Sequence, residues 1–188
     1  RFADEIVPLA TAGGTVSGDG GPRRGLTPVI MGRFPAAFVP GGTVTAGNSC
    51  FDADAASAVV ITSLERARLL GVRDALLVRG SATAGVHPQL LGIGAAPAAR
   101  GLLAEAGVAA DEVGLVEFNE AFASQTLACL DELGIDPDRA NLDGGALALG
   151  HAYGASGAVL VNRLLAQARR AGTPRALALA MISMAGGM

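Results

Sequence analysis

Asn141-Leu142-Asp143-Gly144-Gly145-Ala146-Leu147-Ala148-Leu149-Gly150-His151-Ala152-Tyr153-Gly154-Ala155-Ser156-Gly157 sets a single histidine among five glycines in an otherwise apolar run. Such a loop is built for close approach. Glycine lets backbone amides reach a ligand with no Cβ in the way, and the run into a helix starting near Ala155 offers unpaired N–H groups to an anionic or carbonyl oxygen. A neutral imidazole at His151, held by this backbone, is suited to take a proton from a nucleophile or to donate to a developing oxyanion near pH 7.

Outward from this loop, strand and helix patterns alternate. Toward the carboxyl terminus a helix over 156–170 precedes a last strand over 176–182; a weak strand near Ala140 precedes the loop. Upstream the pattern predicts a helix over 97–105 stopped by Gly107, a strand over 115–118, and a helix over 120–133 stopped by Gly134. Earlier still come a helix over 55–70, closed by Gly71, and a strand over 74–78. This order makes the fold α/β. Residues 1 to 42 hold only a short strand candidate, Glu5 to Pro8, among turn and loop chemistry, and read as a cap or insertion.

With 188 residues, 51% of them hydrophobic, the chain is long enough to bury a full core. A formal net charge of −3 and no basic run longer than an arginine pair argue against a nucleic-acid partner or an anionic membrane surface. No run of about 18 apolar residues reads as a membrane span, and no charged-then-apolar leader opens the chain. The two cysteines, Cys50 and Cys129, sit far apart in unlike contexts, which fits neither a disulfide framework nor a metal site and favours a reducing, cytoplasmic setting. No metal is expected. The first residue is Arg1, which leaves open a truncated or processed product.

Three segments share one design, an apolar strand with small or polar residues at its carboxyl end, where ligands collect in α/β sheets. They are 116–120 with Asn119, the His151 loop, and 182–187 with Ser183, Ala185 and Gly186. Asn119 suits the holding of a water or a carbonyl oxygen, and the closing turn can present backbone N–H groups as an oxyanion hole. The plainer readings are that Asn119 caps the helix after it, that His151 is a hydrogen-bonded structural residue, and that Ser183 is a strand-end hydroxyl. Cys129 reads as an apolar filler and His87 as a surface residue. Cys50 precedes a helix, whose N-terminus would favour a thiolate.

Four ordered motifs then carry a family resemblance over nearly the whole chain. Thr43-Val44-Thr45-Ala46-Gly47-Asn48, Asn119-Glu120-Ala121-Phe122-Ala123, Gly144 to His151 and Ser183-Met184-Ala185-Gly186-Gly187-Met188 resemble the carboxyl-terminal half of thiolases. The opening Phe2-Ala3-Asp4-Glu5-Ile6-Val7-Pro8 is similar to the segment that leaves the thiolase loop domain. The resemblance implies a layered α/β/α/β/α fold, a mixed sheet covered by helices, of which this chain holds one part. It implies that 1–42 end the loop domain, 43–71 finish the amino-terminal domain and 72–188 form the carboxyl-terminal domain.

The implied reaction makes or breaks a carbon–carbon bond between acyl groups on coenzyme A, by Claisen condensation or thiolysis, with the thioester as substrate and no covalently bound cofactor. In that family an amino-terminal cysteine takes the acyl group, and no segment here matches it. The expected partners are therefore acyl-CoA or CoA, the missing amino-terminal half in the same or another chain, and a further copy of the chain in a homo-oligomer. His151 falls on the histidine that activates the cysteine and shares an oxyanion hole with a water held by Asn119. Ala185 and Gly186 fall on the backbone donors of the second hole.

The second family cysteine, the acid/base for the α-proton, falls on Ser183. A thiol near pKa 8.5 moves a proton at neutral pH far more readily than a serine hydroxyl does. Asn48, Ser49, Cys50 and Phe51 fall on the stretch that meets the pantetheine arm, with Cys50 at a family serine and Phe51 at a family glycine. The proline that follows the histidine is replaced by Ala152, and an asparagine by Ala53. Two further readings follow: from Ser183 and Phe51, a condensation-deficient relative that binds or hydrolyses acyl-CoA, and from the absent cysteine segment, a non-catalytic subunit that completes a partner's site.

Overall fold

The computed structural model describes residues 2–172 and 176–187. The amino-terminal part is thin on structure. A turn at Phe2–Glu5 leads to the antiparallel hairpin of β1 (Leu9–Thr11) and β2 (Gly14–Val16), followed by a one-turn helix α1 (Pro28–Met31). The strand expected at 5–8 is thus displaced to Leu9. Glu5 and Ile6 both donate their N–H to Phe2 O in the turn, and Pro8 has no N–H to give a ladder.

The helix expected over 55–70 shrinks to α2 (Leu64–Leu69), capped by Ser63, and the strand expected over 74–78 forms no ladder among the described residues. Val60 is 95% exposed, Ile61 84% and Val78 77%. An amphipathic stretch without an apolar surface to cover lacks the tertiary packing that makes most helices and strands stable. The sequence pattern there is real, and among the described residues Val60, Ile61 and Val78 stay uncovered.

From Pro88 onward the chain builds an α/β/α unit. A 3-10 stretch (Pro88–Ile93) runs into α3 (Ala95–Ala106), then β3 (Val113–Phe118), α4 (Ala123–Leu133), the short α5 (Ala146–Leu149), α6 (Ser156–Ala171) and β4 (Leu177–Met181). Both α3 and α4 end on the expected glycines, Gly107 and Gly134. Strands β3 and β4 pair in parallel, Phe118 opposite Met181, as a βαβ connection requires. Ala96, Val116, Phe118, Cys129, Leu130 and Met181 form a core between the sheet and α3/α4, while α6 covers the other face. Cys129 is fully buried, as read.

Helix α4 begins at Ala123, with Phe122 as its N-cap, so Asn119 is not a helix cap. The helix that Cys50 precedes in sequence, α2, begins only at Leu64, and Cys50 is held instead by its N–H bond to Ala121 O just before α4. The weak strand near Ala140 is a single parallel bridge to Val116.

Candidate functional site

The carboxyl ends of β3 and β4 lie side by side. Asn119, one residue past β3, donates its N–H to Met181 O at 2.9 Å and accepts from Ala121 N–H at 3.0 Å, so the backbone fixes a buried position without using the carboxamide. Two residues past Met181, Ser183 is held on three sides. Its hydroxyl donates to Gly92 O (2.9 Å) and accepts from Ala95 N–H (3.3 Å) and Gln125 Nε2 (3.2 Å). The proton of Ser183 is thus directed into a backbone carbonyl. In the closing turn Ala185 and Gly186 are exposed and Gly187 is buried, its carbonyl accepting from Val86 N–H at 2.7 Å. Gly187 has φ +97°, and a Cβ there would lie 2.5 Å from Val86 O, so this turn needs glycine.

The His151 loop reaches the same sheet edge through the segment 48–53. Asn48 O accepts from Ala123 N–H (2.9 Å) and Cys50 N–H donates to Ala121 O (2.9 Å) on one side. On the other, Phe51 O accepts from His151 N–H (2.8 Å) and His151 O from Ala53 N–H (3.4 Å). One strip of extended chain therefore sits between the Asn119 turn and the histidine. A second tie comes from Glu120, whose carboxylate accepts from Asn141 Nδ2 (2.6 Å) and from Leu147 N–H (3.0 Å) at the start of α5.

Within the loop, His151 Nδ1 lies 2.7 Å from Ser156 Oγ, whose own hydroxyl donates to Ala152 O at 3.1 Å. With its proton spent on that carbonyl, Ser156 accepts from Nδ1–H. This assigns the tautomer and leaves Nε2 with the lone pair. Burial lowers the pKa of the half-buried imidazole, and the charge of Asp52 opposes that effect, so His151 is neutral at pH 7.

The strip 48–53 is less free than its sequence implies. Asn48 spends its carboxamide on Thr45 N–H and Thr43 O, and Ser49 donates to Thr45 O. Burial first, and Asp52 next, push the Cys50 thiol up, the opposite of an activated thiolate. The Phe51 ring fills the space over the loop: a Cβ on Gly21 would lie 2.4 Å from it and one on Gly150 2.7 Å, and Arg23 stacks over it at 5.5 Å. His87 is exposed, and its Nδ1 accepts from Gln89 N–H.

Sequence reading missed Glu120, Gln125, Asn141 and Ser156, the residues that hold the candidates in place. Ser156 carried a signal, since a residue five positions past His151 at a helix start faces back toward it. Gln125 and Asn141 carried none, because their partners are 58 and 23 positions away.

Comparison with known proteins gives this arrangement its context. The family model for the thiolase C-terminal domain matches residues 74–188, and that for the thiolase N-terminal domain matches 1–65. The whole chain is 41% identical to an acetyl-CoA acetyltransferase of Syntrophomonas wolfei and 42% identical to a beta-ketoadipyl-CoA thiolase of Pseudomonas aeruginosa, spanning 48% of each. The crystal structure of the Bacillus anthracis acetyl-CoA acetyltransferase superposes with a TM-score of 0.91 at 34% identity, over 99% of this chain and 48% of that one. Human mitochondrial 3-ketoacyl-CoA thiolase in complex with CoA gives 0.86, also at 34% identity, over 99% of this chain and 47% of that one. The chain spans about half the length of these relatives, and its α/β unit is part of their fold. By sequence and by structure, this chain belongs to the thiolase family.

Proposed function

We propose that this chain is the carboxyl-terminal part of a thiolase-type acyltransferase that acts on acyl-CoA or 3-ketoacyl-CoA thioesters, with the rest of the site supplied by the missing amino-terminal half. In this reading residues 1–42 end the loop domain, 43–71 finish the amino-terminal domain and 72–188 form the carboxyl-terminal domain. The working protein is a cytoplasmic homo-oligomer, and the substrate is the coenzyme A thioester itself, with no covalent cofactor.

The observation that carries the reading is the imidazole of His151, whose Nδ1 is bound by Ser156 and whose Nε2 is left with its lone pair, tied by one strip of backbone to the turn that bears Asn119. A neutral His151 takes the thiol proton of the nucleophile and, with an Asn119-held water, donates to the thioester oxygen as charge develops there. Ala185 and Gly186 supply backbone N–H groups to the second acyl oxygen. Asn48, Ser49, Cys50 and Phe51 form the wall along the pantetheine arm, narrowed by the Phe51 ring. His151→Ala in the complete protein lowers thioester turnover at least ~100-fold; an unchanged rate removes His151 from the mechanism.

One observation favours a second reading. The Ser183 hydroxyl is committed to Gly92 O; with Ser183 in the acid/base role that the family resemblance implies, α-proton transfer, and with it condensation, is slow relative to thioester binding or hydrolysis. Thiolysis of a 3-ketoacyl-CoA measured against its simple hydrolysis separates the two.

A further inference from the structure

We propose that Asp52 and Tyr153 form a positioning pair that orients the His151 imidazole and supports its protonated form; the inference rests on His151 acting as the base. The geometry is local and closed. Asp52 and His151 are paired in a parallel bridge, with His151 N–H and carbonyl bonded to the residues on either side of Asp52, so the two side chains leave adjacent backbones side by side. Tyr153 meets the imidazole edge to face, with centroids 4.6 Å apart and planes at 81°. Its hydroxyl donates to Asp52 Oδ1 at 2.8 Å. The imidazole is thus fixed at Nδ1 by Ser156 and braced by the Tyr153 ring, and Tyr153 is fixed in turn by Asp52.

Tyr153 is 72% exposed and Asp52 is exposed, so neither needs the other to satisfy a buried polar group. A pair of this kind adds little to global stability, and its consequence falls on the ring it touches. When His151 takes a proton at Nε2 it becomes a cation in a half-buried site, and Asp52 is the charge placed to compensate it. The other ionisable groups around the loop are Cys50 and Asp54 on the same strip, Glu120, whose carboxylate is engaged by Asn141 and Leu147, Arg23, which lies over the Phe51 ring, and Asp143 within the loop, paired with Arg163 and Arg170. None of them opposes the effect of burial on the imidazole.

The test follows the His151 ring resonances through a pH titration of the intact protein, assigned by their loss in His151→Gln, alongside the pH profile of kcat/KM for thiolysis of a short 3-ketoacyl-CoA. Asp52→Asn is expected to titrate at lower pH than wild type and to move the acidic limb of the profile with it, and Asp52→Glu to return both toward wild type. Tyr153→Ala is expected to lower kcat about 10-fold while KM holds, as expected for a displaced catalytic group. An imidazole that titrates at the wild-type pH in Asp52→Asn overturns the pair. If instead His151→Ala keeps full turnover, it is the base reading that fails, whatever the titration shows.

Discussion

At the scale of single residues, what distinguishes this chain is where protons are directed. Ser156 passes its own proton to Ala152 O and so accepts from His151, while Ser183 passes its proton to Gly92 O and so has none to offer a substrate. A thiol at position 183 would be a weaker donor to that carbonyl and a more acidic group. Ser183→Cys in the complete protein is therefore expected to raise condensation roughly 10-fold or more over thioester hydrolysis, read by product analysis from acyl-CoA. A variant with no gain would mean that α-proton transfer does not limit the reaction. Sequence reading proposes His151 from its glycine-rich setting and Asn119 from its place after an apolar strand. Ser156, five residues past His151, could be read from the same segment, whereas the partners of Ser183 and Glu120 lie on distant elements, and pattern along one segment holds no record of them.

At the scale of elements, the sheet edge beyond β3 is completed by a side chain. Asn141, in a left-handed conformation with φ +49°, accepts from Phe118 N–H through Oδ1 (2.7 Å) and donates to Phe118 O through Nδ2 (2.9 Å), doing for β3 what a further strand would do. Asn141→Ala leaves both buried backbone groups of Phe118 and one oxygen of Glu120 without that partner. It is expected to lower stability by about 2–3 kcal/mol in denaturant unfolding and to loosen the His151 loop; a loss below about 0.5 kcal/mol would show that water or another group takes its place. The helices α3, α4 and α6 and the strands β3 and β4 were legible within a few residues, because each carries its own apolar pattern and the helices each end on a glycine. The stretches over 55–70 and 74–78 were legible as patterns yet form little structure, since a pattern states which face is to be buried and not whether the covering partner is present.

At the scale of the whole molecule, a charge cluster centred on the buried Arg163 ties the first residues to the carboxyl-terminal unit. Arg163 on α6 pairs with Glu5 (2.8 Å) and Asp143 (3.1 Å), stacks on Phe2 at 4.3 Å, and lies 3.8 Å from Glu117 on β3; Arg170 also pairs with Asp143. Glu117 is 1% exposed and bonded by Gln167 at 2.5 Å, and burial pushes its carboxyl up to about 7 against the pull of Arg163. Between the ordinary value of 4.5 and about 7 the folded state keeps a proton that the unfolded chain has released. Stability contributed by this group is therefore full below about 4.5 and lost as pH rises through about 7, by on the order of 3 kcal/mol. Urea unfolding at pH 5 and pH 8 should show that loss, and Glu117→Gln should remove it; an equal slope in both proteins would assign the titration elsewhere. In the proposed site His151 and Asn119 hold one thioester carbonyl, and the turn at 185–187 serves the second acyl oxygen. A crystal structure of the complete protein with a non-hydrolysable acyl-CoA analogue tests this most directly. The account predicts the carbonyl oxygen within hydrogen-bonding reach of His151 Nε2 and of a water on Asn119, and a thioester seated elsewhere, with His151 out of reach, would contradict it.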